Sequence, residues 1–327
     1  MSDSIIHVDN LVKKYKQLVA VDHISFDVAP GEIFGFLGPN GAGKTTTINI
    51  LCTLLKPTGG SARICGNDVV KQREQVRRCI GLVFQEPALD EYLNAEQNLR
   101  FHAYAYNLPK EIREPRITEV LDLVDLSDWR KKKVQTFSGG MKRRLEIARG
   151  LLHNPKVLFL DEPTLGLDPQ TRRHIWDFVL QLRRQQNLTI FLTTHYMDEA
   201  ENCDRISVID HGHIIALDTA EKLKDSLGGD VVTITADDNP AAARELTEKF
   251  NVLPAIQDGH ITFSVPHGEL FLPRLMQNFQ SRLTSIGIRR PTLDDVFLKL
   301  TGRAIRDAEM GDKDQMKQMM SMRRRQR

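Results

Sequence analysis

The stretch Gly38-Pro39-Asn40-Gly41-Ala42-Gly43-Lys44-Thr45 fits the pattern G-x-x-x-x-G-K-[ST], and its flanks constrain the fold more than any other part of the chain. Residues 32–37 (EIFGFL) read as a short buried strand, and residues 45–55 (TTTINILCTLL) as a helix that begins at the lysine. A glycine loop between such a strand and helix aims successive backbone N–H groups, with the positive end of the helix dipole, at an anion. The β-phosphate of ATP or GTP is the expected occupant. Lys44 would reach the β and γ oxygens, the Thr45 hydroxyl would ligate magnesium, and Thr46 would close the loop. The plain alternative is a glycine turn that only joins strand to helix.

The composition, 27% charged and 41% hydrophobic over 327 residues, supports one large domain and a small one. Stretches free of charge, such as residues 45–55, are too short to span a bilayer, so no transmembrane helix is expected. The opening Met-Ser-Asp-Ser lacks the basic and apolar regions of a signal peptide, which places the protein in the cytoplasm. Cys52, Cys65, Cys79 and Cys203 have no metal-ligand spacing and read as reduced structural thiols. A formal net charge of +2 gives no bulk attraction for nucleic acid, and no nucleic-acid partner is expected.

Residues 5–34 alternate apolar and polar positions, as antiparallel strands with turns at Lys16-Gln17 and Pro30-Gly31 would. A helical insertion spans about 87–150, with breaks expected at Pro109 and Pro115. After it, strands at 157–160, 188–193 and 206–210 alternate with helices at 172–184 and 197–202, which argues for a largely parallel sheet covered by helices. Gly228-Gly229 marks the expected boundary between a first domain, 1–228, and a small α+β module, 229–302. Residues 303–327 form a Met/Arg-rich tail ending in RRRQR, expected to be flexible and solvated, or to touch acidic lipid headgroups or a partner.

Residues 156–162 (KVLFLDE) form an apolar strand ending in two carboxylates, and C-terminal ends of parallel strands face the ligand crevice. Asp161 would hold magnesium, and Glu162 would orient or deprotonate the water that attacks the γ-phosphorus. Ser138-Gly139-Gly140 precedes a helix whose Met141, Leu145, Ala148 and Leu152 share one face, with Lys142, Arg143, Arg144 and Arg149 lying mostly elsewhere. A serine cap followed by glycines makes a second anion site at a helix start, or an ordinary helix cap.

The order and spacing of these motifs resemble the ATP-binding subunits of ABC transporters over residues 5 to about 225. The signature segment reads Phe137-Ser138-Gly139-Gly140-Met141, and the strand-end segment runs from Asp161-Glu162-Pro163-Thr164 to Asp168. The resemblance implies an α/β P-loop NTPase with a mostly parallel core sheet, antiparallel N-terminal strands and a helical insertion. It further implies ATP and magnesium as cofactors, and ATP hydrolysis coupled to transport. Tyr15 would stack on adenine, with strand packing as the alternative. Gln85 would sense magnesium and the γ-phosphate, His195 would contact the γ-phosphate, and Asp168 would sit at a dimer interface. The implied partners are a second copy, arranged head to tail so that each Ser138-Gly139-Gly140 closes over the other's nucleotide, and an integral membrane permease. That arrangement would hold the chain peripherally on the cytoplasmic face of the membrane, with residues 84–99 meeting the permease.

Met141 and Phe137 depart from the glutamine and leucine common in the signature, which removes one polar partner and keeps the Ser-Gly-Gly donors. Both changes, and the C-terminal Pro291-Thr292-Leu293-Asp294-Asp295-Val296-Phe297, resemble the branch typified by daunorubicin-resistance exporter ATPases. Against this reading stand a soluble ABC ATPase acting on ribosomes or DNA, a P-loop kinase or GTPase, and a nucleotide-regulated binding module. The first usually carries two cassettes, long coiled coils or zinc insertions. The second leaves the Ser-Gly-Gly helix and His195 without a role, and the third does not need Glu162.

Overall fold

The structure, a computed structural model, describes residues 4–257 and 259–302. The Met/Arg-rich tail expected over 303–327 lies outside the described residues. The chain forms two compact units that divide between Leu217 and Asp218.

The first unit opens with a hairpin, β1 (Ile6–Tyr15) and β2 (Leu18–Val28), whose register runs from Ile6 opposite Val28 to Tyr15 opposite Leu18. Strand β3 (Ile33–Leu37) leads through the glycine loop into α1 (Lys44–Leu51). Next come β4 (Gly59–Ile64) and β5 (Asn67–Asp68), which join the hairpin in an antiparallel sheet of order β2-β1-β4-β5. The helix α2 (Arg73–Cys79) runs directly into β6 (Ile80–Val83). The insertion then supplies α3 (Ala95–Ala105), α4 (Lys110–Leu123) and α5 (Gly139–Leu151). The remaining elements are β7 (Val157–Asp161), α6 (Pro169–Gln186), β8 (Thr189–Thr194), the short α7 (Met197–Ala200), β9 (Arg205–Asp210) and β10 (His213–Asp218).

The core sheet has the order β10-β9-β3-β8-β7-β6, and its pairs β9/β3, β3/β8, β8/β7 and β7/β6 are all parallel. β3, β7 and β8 are buried along their whole length, which is why they read as unbroken apolar runs rather than alternating ones. The two sheets meet through an aromatic cluster: Phe26 of β2 stacks on Phe34 at 5.4 Å, and Phe34 and Phe159 pack on Phe191 at 5.6 and 5.3 Å.

Two local expectations change. Pro115 lies inside α4 rather than breaking it. The helix keeps its course because Ile117, Val120 and Leu121 are buried, and that packing outweighs the one backbone hydrogen bond a proline removes. In α5, Arg143 and Arg149 turn inward with Glu146 instead of lying on the exposed side.

The second unit holds α8 (Ala220–Asp225), β11 (Asp230–Ala236), α9 (Asn239–Phe250), β12 (Ala255–Gln257), β13 (His260–Val265), α10 (Gly268–Asn278), β14 (Leu283–Arg289) and α11 (Leu293–Thr301). Its antiparallel sheet, β12-β13-β11-β14, packs Val232, Ile234, Ile261 and Phe263 against Leu246, Phe250 and Leu275 of α9 and α10. The division falls ahead of Gly228-Gly229 because α8 packs against α11 within this unit.

Glu96 ties the insertion together. Its carboxylate is 4% exposed and pairs with Arg100, with Arg130 Nε at 2.9 Å, and with Lys131. The hydrogen bond from Arg130 outweighs burial, and with Lys131 it holds the Glu96 carboxyl down at about 2. A carboxyl depressed by folding stabilises the fold above its unfolded value, near 4.5, and that stabilisation is lost as pH falls towards 2. Glu96→Gln should therefore cost about 2 kcal/mol at neutral pH, the scale of hydrogen bonds to charged groups. In denaturant titrations its deficit against the parent should shrink between pH 4.5 and 2. A deficit independent of pH would refute the assignment.

Candidate active site

Neighbouring parallel strands deliver the candidate groups to one edge of the core sheet. Leu37 at the end of β3 lies opposite Thr194 of β8, Thr193 opposite Asp161 of β7, and Val83 of β6 opposite Leu160. The glycine loop, His195, the Asp161-Glu162 pair and Gln85 each follow one of these ends directly, in the crevice where α/β sheets bind ligands.

The loop is built for close approach. Gly43 adopts φ +109°, and a Cβ there would stand 2.5 Å from the Ala20 carbonyl oxygen; at Gly38 it would stand 2.2 Å from that of Ile209. The Gly38 N–H donates to the Thr194 carbonyl at 3.2 Å, and the Gly212 N–H donates to the Ala42 carbonyl at 3.0 Å. Lys44 opens α1 with its ammonium 4% exposed, donating to the Gly38 and Pro39 carbonyls at 2.7 and 3.0 Å. The loop thus curls around its own cation, while Asn40 and Gly41 form its exposed rim, with Thr45 exposed and Thr46 half-buried on the first turn of the helix.

Glu162 is the centre of the cluster. Its backbone takes φ +45°, a left-handed conformation that non-glycine residues adopt at a cost of about 1–3 kcal/mol. Its N–H donates to the Thr193 carbonyl and hydroxyl at 3.2 and 3.1 Å, which holds that turn in place. The side chain is 7% exposed. Its Oε1 lies 3.4 Å from Lys44 Nζ and 3.3 Å from His195 Nδ1, and its Oε2 accepts from Gln85 Nε2 at 3.3 Å. Burial drives the Glu162 carboxyl upward, but His195 and Lys44 outweigh it, so the group sits below its ordinary value and stays ionised.

The adjacent Asp161 is driven the other way. Burial first, then the Glu162 charge, raise its carboxyl, and the hydroxyls of Thr193 and Thr45 only partly offset them. Thr193 Oγ1 donates to Asp161 Oδ1 at 2.5 Å. A buried carboxylate held above its ordinary value beside a threonine hydroxyl is a hard-oxygen donor set that gains from a divalent cation such as magnesium.

The other expected residues stand apart. Ser138 caps α5, its Oγ accepting from the Met141 N–H at 3.3 Å; Gly139 is exposed and Gly140 buried behind it. Asp168 caps α6, accepting from the Thr171 N–H and hydroxyl at 3.0 and 2.6 Å. Ser138, Gly140 and Thr171 line one open groove of about 470 Å³ with Met141, Arg144 and His174. Tyr15, 44% exposed at the end of β1, has Lys13 Nζ 5.1 Å from its ring centre.

Arg143 and Thr193 carry parts of the site that the sequence did not single out. The buried Arg143 guanidinium donates to the carbonyls of Pro163 (2.6 Å), Phe84 (2.6 Å) and Asp161 (3.1 Å), so the helix behind Ser138 grips the segments that carry Glu162 and Gln85. Its sequence signal was faint, one basic residue among several on α5. Thr193 lacks any such signal because its importance comes from lying opposite Asp161 across the sheet.

With this geometry, residues 21–165 match the ABC transporter family and residues 219–301 match the C-terminal domain of DrrA1-3-like ATP-binding proteins. The chain is 40% identical to the daunorubicin resistance ATP-binding protein DrrA3 of Streptomyces coeruleorubidus, over 94% of this chain and 100% of that one. It is 39% identical to the linearmycin resistance ATP-binding protein LnrL of Bacillus subtilis, over 93% and 100%. Among solved structures, a part of the ABC transporter complex CbiONQ from Clostridium perfringens superposes with a TM-score of 0.64 at 27% identity, covering 76% of this chain and 97% of that one. A dimeric ATP-binding cassette in a post-hydrolysis state with ADP and phosphate gives 0.59 at 29% identity, covering 65% and 98%. The chain belongs to the family of ABC transporter ATP-binding subunits, and within it to the daunorubicin-resistance type. It is an ATPase that binds and hydrolyses nucleotide.

Lys44→Ala removes the one cation enclosed by the glycine loop, so binding of a fluorescent ATP analogue should fall by at least about tenfold, the factor for 1.4 kcal/mol. Undiminished affinity would contradict the loop's role.

Proposed function

We propose that this chain powers export through a separate integral membrane permease, working as a pair of copies in which two nucleotides are shared head to tail. The ionised Glu162 carboxylate, clasped by Lys44, His195 and Gln85 at the sheet edge, carries the reading. An ionised, partly desolvated carboxylate is fit to orient a water molecule and accept its proton, which assigns Glu162 the role of general base. His195 holds that carboxylate in place through Nδ1 and meets the γ-phosphate with the rest of its ring. Lys44 balances the β and γ oxygens, with backbone N–H groups of the glycine loop beyond Pro39 around the β-phosphate. Thr45, Asp161 and Gln85 would hold magnesium, which when bound screens the phosphate charge that builds up during hydrolysis.

Ser138-Gly139-Gly140 and Asp168 belong to the same machinery on the second copy's side. In the head-to-tail pair they would complete the partner copy's site in trans, and a dimeric relative bound to ADP and phosphate supports that arrangement. Tyr15, exposed at the end of its strand, would stack on adenine. The first unit serves as the nucleotide-binding domain and the second, from Asp218, as an accessory module.

The resistance and Nod factor export proteins among the relatives support an export role. No helix among the described residues is long and apolar enough to cross a membrane, so the permease would be a separate polypeptide holding this chain at the cytoplasmic face. Residues 84–99, with Phe84 36% and Tyr92 79% exposed, offer the contact.

Glu162→Gln should retain ATP affinity and accumulate a dimer in ATP and magnesium, seen by size-exclusion chromatography, while hydrolysis falls about a hundredfold or more, the scale of general-base catalysis. Hydrolysis at the parental rate refutes the base assignment. In cells, membrane retention should depend on one integral protein; co-sedimentation with ribosomes and no membrane fraction would overturn the transport reading.

A further inference from the structure

Glu199 of α7 is a carboxylate only 1% exposed. It accepts a hydrogen bond from the Thr164 hydroxyl on Oε1 and from the Thr194 hydroxyl on Oε2, the latter at 2.6 Å. The nearest charge is Arg172 Nε at 3.9 Å, and the Trp176 indole stands against the same carboxylate. Thr164 begins the segment that runs from the Glu162 turn to Asp168, whereas Thr194 immediately precedes His195. Thr194 Oγ1 also accepts from the Tyr196 N–H at 2.9 Å, so its hydroxyl brackets the histidine. On the outer side, the Arg172 guanidinium lies 3.9 Å from the Tyr196 ring centre, and that ring lies 4.1 Å from the His195 imidazole.

Burying a carboxylate costs several kcal/mol unless its partners compensate. An apolar side chain at position 199 would pack a short amphipathic helix without that penalty. Four segments instead converge on two oxygens: the turn after β7, the end of β8, α7 itself and the start of α6.

We propose that Glu199 is a positioning residue that locks the Thr164–Asp168 segment and His195 into one mechanical unit. Engagement of the histidine by the γ-phosphate and placement of the Asp168 segment towards the second copy then change together. The link is intramolecular and runs behind the site, so each copy would report its own nucleotide to its neighbour through it. The inference rests on the roles given above to His195 and Asp168.

Glu199→Gln keeps the shape but turns one acceptor oxygen into an NH2 donor, so one threonine hydroxyl must reverse its role and the two charge-assisted bonds to a single carboxylate are gone. In the full chain, with ATP and magnesium, kcat should fall about tenfold with KM for ATP within about twofold, a loss of orientation rather than of binding. Added to His195→Ala, it should slow hydrolysis no further, because it acts through the histidine. A second readout needs no histidine chemistry. In a Trp129→Phe background, Trp176 emission should respond to ATP, and Glu199→Gln should abolish that response while the melting midpoint stays within a few degrees. A parental kcat in Glu199→Gln, a rate loss that multiplies in full with that of His195→Ala, or a Trp176 response that is absent from the Trp129→Phe protein or survives the substitution overturns the proposal. Should His195→Ala alone hydrolyse at the parental rate, the histidine's assignment fails, and the Trp176 response decides for Glu199.

Discussion

A carboxylate kept ionised inside a protein needs a counter-charge and hydrogen-bonding partners brought to it, and the Glu162 site is organised around that requirement. Water is largely excluded, so Lys44, His195 and Gln85 must stand within reach from three different segments. Only a parallel sheet with β3, β8, β7 and β6 side by side brings those segments to one edge. The opposite drift of Asp161 and Glu162 has the same origin. Both are buried, but Glu162 faces the cations while Asp161 faces hydroxyls and its neighbour's charge. Adjacent residues thereby acquire different chemistry: one suited to hold a proton acceptor ready, the other to take a metal.

The site is then made sensitive to its surroundings by side chains that bridge backbone segments. Arg143 reaches from α5 to three carbonyls, at Phe84, Asp161 and Pro163. Glu199 reaches from α7 to the hydroxyls on either side of the Glu162 and His195 positions. Each buries a charge, and each is retained where a hydrophobic residue would pack more cheaply. Such bridges favour discrete rearrangements over gradual deformation. The insertion carries its own brace in the Glu96 cluster, which ties α3 to Arg130 and Lys131.

Much of this was legible in the residues. The glycine loop, the apolar strand ending in Asp161-Glu162 and the serine cap before α5 are local patterns, each with a physical cause confined to a few neighbours. The small strands β4 and β5 were not legible, because Gly59–Ile64 carries little apolar alternation and is held as a strand by pairing with β1. Pro115 misled for the converse reason: its local cost is real, and packing elsewhere on α4 exceeds it. The inward turn of Arg143 followed no helical period, since the carbonyls it satisfies belong to distant loops.

The sequence by itself determined the phosphate loop, the alternation of strands and helices after the insertion, and the family, because these depend on contiguous residues and their spacing. Tertiary structure alone decided which carboxylate is pushed up and which is held down, that Thr193 serves Asp161, and that Glu199 joins Thr164 to Thr194. Those outcomes depend on burial and on register between strands far apart in the chain, and neither quantity exists until the sheet has formed.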